Sequence, residues 1–93
     1  MMQRDYHFTL LHKTEETPEA FQGKVERNLE RRGFHFTANE VYTMLAATRA
    51  RHDHTYQSPA NDLGYTVAIY RAPSVTETVA YEFYASRFDV RHI

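Results

Sequence analysis

Residues 33–41 read GFHFTANEV, and whether this stretch is a turn or a strand decides the fold. Thr37-x-x-Glu40 spells a capping box, in which a threonine hydroxyl accepts the N–H three residues on and the glutamate reaches back to the threonine N–H. Phe36 before the box and Val41 after it stand where a hydrophobic staple forms, so a helix should begin at Ala38. Gly33 is suited to the left-handed position that closes a preceding helix. The stretch therefore reads as a tight reversal between two antiparallel helices, with a short strand at residues 34–37 as the competing reading.

Upstream, Thr17-Pro18-Glu19 supplies a capping hydroxyl, a proline at the first helical position and an acid in the first turn, and predicts a helix to about Arg32. Phe21, Val25 and Leu29 form its apolar stripe. Downstream, Val41, Met44, Leu45 and Thr48 carry the second helix to about His52. Residues 4–13 (RDYHFTLLHK) alternate Tyr6, Phe8 and Leu10 with Asp5, His7 and Thr9, the period-two pattern of a half-buried strand. Residues 57–64 (QSPANDLG) collect turn formers and read as a surface loop. Residues 65–71 and 78–86 alternate again and predict two more strands, joined by a turn at Pro73-Ser74. Ser74-x-x-Glu77 also spells a capping box, but Pro73 and Thr78 make no staple, and the Thr, Val and aromatic content favours a strand. Residues 88–93 extend an edge or add a final strand. The expectation is an α+β fold of order β-α-α-β-β with that possible C-terminal strand: a small antiparallel sheet, two helices on one face and the other face open.

All 93 residues fit one domain. Leu, Ile, Val and Phe make up only about a fifth of the chain, but seven Tyr and six Phe supply bulk for an aromatic-rich core of modest stability, which a homodimer would help. The absence of cysteine excludes a disulfide framework, thiol catalysis and Cys-ligated metal, and agrees with a cytoplasmic protein. No leader and no long apolar run is present, so no signal peptide or membrane partner is expected. A net charge of −1 argues against a strongly electrostatic duplex-DNA binder and against an acidic DNA mimic.

An internal echo, YHFT at residues 6–9 and FHFT at residues 34–37, resembles the motif of the 2H phosphoesterases. The resemblance implies His7 and His35 as acid and base, with Thr9 and Thr37, around a phosphodiester. The plainer reading is that an amphipathic strand turns His7 and Thr9 toward water. The order of elements resembles the ribosome-dependent RNase toxins of the RelE type, which implies an RNA-cleaving site built from Arg71, Tyr84, Arg87 or Arg91. His52-Asp53-His54 offers metal-capable side chains, but a zinc site needs further ligands, so no metal or cofactor is expected. Arg27, Arg31, Arg32, Arg49, Arg51, His52 and His54 gather near helix carboxyl ends, where cations suit the dipole. Arg49, Arg51, His52 and His54 with Tyr56 make an alternative RNA-binding patch.

The open sheet face is the favoured site. Alternation puts His7, Thr9, Thr66, Tyr70, Glu82 and Tyr84 there, along with Ala68 and Ala80. Tyrosines among small residues suit a protein partner or a second copy, and free strand edges offer strand addition as a second route. The expected function is a small non-enzymatic regulator or inhibitor acting by protein contact, like compact accessory proteins of phages and mobile elements; RNA binding or processing is the alternative.

Overall fold

The computed structural model describes residues 3–72 and 78–88, with side chains for 5–72 and 78–87. The elements run β1 (Gln3–His12), α1 (Pro18–Arg31), α2 (Ala38–Ala50), β2 (Thr55–Gln57), β3 (Tyr65–Ala72) and β4 (Val79–Phe88). The strands form one antiparallel sheet in the order β1-β4-β3-β2, so the chain's first strand lies beside its last. This is the α+β arrangement that the sequence predicts, with one strand added.

The reversal at residues 32–37 contains no strand. Gly33 adopts φ +91°, the Gly33 N–H donates to the Glu30 carbonyl at 2.9 Å, and the Phe34 N–H donates to the Leu29 carbonyl at 2.9 Å. These are the two bonds of a Schellman cap. Both bonds of the capping box then open α2: the Thr37 hydroxyl accepts the Glu40 N–H at 3.1 Å, and the Glu40 carboxylate accepts the Thr37 N–H at 2.8 Å. At the start of α1, Thr17 accepts the Ala20 N–H and Pro18 occupies the first turn.

Both helices cover the same sheet face. Phe21, Val25 and Leu29 from α1 and Val41, Met44 and Leu45 from α2 are buried together with Phe8, Tyr65, Val67, Ile69, Tyr81, Phe83 and Ala85 from the sheet. Aromatic contacts bind the layers: Phe8 stacks on Phe83 at 5.0 Å, and Phe21 meets Tyr81 at 4.8 Å and His12 at 4.5 Å. Thr48, buried in the same layer, returns its hydroxyl to the Met44 carbonyl at 2.7 Å, so its polar group is not left bare there. Along β1, the Lys24 ammonium donates to the Leu11 carbonyl at 2.8 Å and pairs with Glu16 at 3.1 Å.

The added strand is β2, which pairs only with β3, from Thr55↔Tyr70 to Gln57↔Ala68. His54 precedes it in the left-handed region at φ 55°, and its carbonyl accepts the Arg71 N–H at 2.8 Å. Gln57, expected at the head of a loop, closes this strand, and the loop runs over residues 58–64. There Asn61 Oδ1 accepts the N–H groups of Leu63 and Tyr65, an Asx-type turn. The expected Pro73-Ser74 turn and residues 89–93 of the possible final strand lie outside the described residues.

Losing one hydroxyl of the capping box, Thr37→Ala, is expected to lower stability by about 1 kcal/mol. Phe21→Ala empties the meeting point of helix and sheet and should cost about 3–5 kcal/mol. Urea unfolding checks both; a Thr37→Ala midpoint equal to wild type would show that the box contributes nothing.

Candidate functional site

The strands alternate, so every second sheet residue faces away from the helices. Register then sets their neighbours. Across the uncovered face, Asp5 lies beside Ser86 and Thr66; His7 beside Tyr84, Ala68 and Gln57; and Thr9 beside Glu82, Tyr70 and Thr55. Leu11, Ala80 and Ala72 form the last row. His7, Thr9, Thr66, Tyr70, Glu82 and Tyr84, all assigned to one surface by alternation, share this face. Tyr70 is 43% exposed and Tyr84 46%, large values for aromatic side chains in the middle of strands.

His7, Glu82 and Tyr84 form a connected group. The imidazole lies flat on the Tyr84 ring, with centroids 4.4 Å apart and planes 5° from parallel. Glu82 Oε1 accepts from His7 Nε2 at 3.2 Å and from the Tyr84 hydroxyl at 3.3 Å. The His7 and Glu82 side chains are 50% and 32% exposed, a setting in which an ion pair contributes about 0–1 kcal/mol. What the group supplies is rigidity, since the Tyr84 ring is held on its face by a stack and at its hydroxyl by a carboxylate. Nearby, the Ser86 hydroxyl donates to Asp5 at 2.8 Å. Desolvation first, then the Glu82 charge and its hydrogen bond, hold the Tyr84 phenol above its ordinary pKa.

The residues of the alternative RNA patch lie at the end of α2, in the turn after it and in β2. Arg49 and His52 are exposed at the end of α2 and just beyond it. Arg51 pairs with Asp53 at 3.3 Å, and hydrogen bonding from Thr55, followed by Arg51, keeps that carboxyl below its ordinary pKa. His54 Nδ1 lies 3.5 Å from an Arg71 nitrogen, and Tyr56 packs against the core. Among the described residues no three metal-capable side chains converge.

The two His-x-Thr patches occupy opposite sides of the sheet. His7 and Thr9 are on the uncovered face, whereas His35 and Thr37 belong to the helical reversal, whose Phe34 is buried in the core and whose Thr37 hydroxyl caps α2. Of the residues that the toxin-like order implies, Arg71 and Arg87 lie over the core rings of Tyr81 and Tyr65, on the other face from Tyr84. Arg91 lies outside the described residues.

A cleft of about 220 Å³ opens between α2 and the segment after β2, with Phe36, Met44, Tyr56 and Pro59 in its walls. Part of its polar lining is engaged: Glu40 in the capping box, Asn61 in its turn, and Ser58 accepting the Val67 N–H at 2.8 Å, while Asn39 and Thr43 also line it. Sequence patterns gave no sign of this cleft, because its walls come from segments brought together only by β2. They also passed over Leu11, 47% exposed on the uncovered face, although it shares the parity of His7 and Thr9. No helix among the described residues is long and apolar enough to cross a membrane. Comparison of the chain with protein-family models, curated proteins and solved structures finds no match.

Because the folded state holds the Tyr84 proton more tightly than the unfolded chain does, its contribution to stability is full below about pH 10 and is lost as pH rises through the folded-state ionisation. Phenolate absorbance of wild type minus Tyr84→Phe should show late ionisation of Tyr84, and Glu82→Gln should move it down. An identical curve in Glu82→Gln would rule out the carboxylate as a cause.

Proposed function

We propose that this chain is a small non-enzymatic binding protein that regulates or inhibits a larger protein by docking it on the uncovered sheet face. The observation that carries this reading is the pair of half-exposed tyrosines on paired strands, one of them locked by His7 and Glu82. A rigid tyrosine brings large contact area with little rotamer entropy to lose, which is why such side chains serve as interface anchors. Ala68, Ala72 and Ala80 share the face, so small side chains stand beside the rings. The face supports recognition better than catalysis: its imidazole and carboxylate are both partly exposed on a sheet surface, where no enclosing pocket surrounds them among the described residues.

Affinity capture with the tagged chain, with and without nuclease, tests the reading. A nuclease-resistant protein partner is expected, and Tyr70→Ala and Tyr84→Ala should each weaken it about tenfold or more while the chain remains folded. Unchanged affinity in both variants overturns the assignment of the surface. Recovery that depends on RNA overturns the protein-partner reading and moves attention to Arg49 and Arg51.

A further inference from the structure

The near-neutral charge of the chain conceals a sorting of charges by face. Among the described residues, the uncovered face carries the carboxylates of Asp5 and Glu82 and no lysine or arginine. Four of the cations lie instead against rings of the covered layer: Lys24 over Phe21, Arg32 over Phe8 at 4.2 Å, Arg71 over Tyr81 and Arg87 over Tyr65. Arg27, Arg31 and Arg49 belong to the helices, Arg51 follows α2, and Lys13 lies just past β1. A polyanion approaching the uncovered face would meet carboxylates and no lysine or arginine among the described strand positions of that face, whereas a basic surface would meet its complement.

The middle of that face has a more specific shape. Glu82 sits between Thr9 on β1 and Tyr70 on β3, with Tyr84 two residues along its own strand. Its Oε1 already accepts from His7 and Tyr84, while Oε2 carries no hydrogen bond from the described residues. A carboxylate with one oxygen available, flanked by two half-exposed phenol rings, matches the guanidinium group, which donates in its plane and stacks by its face. A lysine ammonium could use the charge but not the flat stack. We propose that Glu82, Tyr70 and Tyr84 form a seat for an arginine side chain presented by a basic protein partner. This rests on the docking reading above and names the partner's chemistry.

The test uses the whole chain with N-acetyl-arginine methylamide as probe and the lysine analogue as control, following the tyrosine ring signals by NMR. Saturable shifts at Tyr70 and Tyr84 are expected with the arginine probe, several-fold weaker binding with lysine, and about tenfold weaker arginine binding in Glu82→Gln. The amide oxygen introduced by Glu82→Gln retains an acceptor for His7 and Tyr84, so an unchanged melting temperature is expected and separates lost recognition from lost fold. Absence of saturable shifts, equal binding of lysine, or wild-type binding by Glu82→Gln overturns the seat. A captured partner released by Tyr70→Ala but held at full affinity by Glu82→Gln would overturn the arginine assignment while leaving the docking face intact.

Discussion

Between the last turn of α1 and the first turn of α2 the chain must reverse within a few residues while Phe34, in the middle of the reversal, stays buried in the apolar core. Each helix end leaves backbone groups without a partner in its own helix, and closing them locally is worth about 1 kcal/mol per cap. Gly33 closes one end through its left-handed backbone, and Thr37 with Glu40 closes the other. Phe34, between the caps, is buried between Tyr6 and Tyr65 and fastens the reversal to the sheet. The placing of both helices on one face, and therefore the existence of a bare face, follows from this joint.

That one-sided cover explains how the two surfaces of the sheet differ. The covered side is an aromatic lattice in which Arg32, Arg71 and Arg87 lay guanidinium groups over ring faces at its margins. The bare side is stabilised by cross-strand pairs, His7 on Tyr84 and Asp5 with Ser86, which hold side chains in place without removing them from water. Strength on one side and ordered exposure on the other come from a single alternating pattern.

Much of this was legible in the residues. Each joint signal, from Pro18 through Gly33 to the Thr37-x-x-Glu40 box, is local, so sequence spacing alone carries it. Alternation sorted Phe8, Val67 and Phe83 from Thr9, Ala68 and Tyr84 because a half-buried strand has a period of two. β2 was not legible: three residues are too few to show a period, and they are extended because β3 pairs with them. The His7–Glu82–Tyr84 group was not legible as a group either. Its members come from strands at opposite ends of the chain, and only the β1-β4 adjacency and its register bring them within reach.

The Lys24 contact has a consequence for life at high protein concentration. β1 is the sheet's long outer strand, ten residues without a bulge or proline, the form most prone to recruiting foreign strands. A charged donor seated on the Leu11 carbonyl occupies one link of the ladder that a newcomer would need, and displacing it would strip an ammonium from both a carbonyl and Glu16. The helix thus places a charged group on the sheet's border, and losing that single amine would free the Leu11 carbonyl for pairing with another strand.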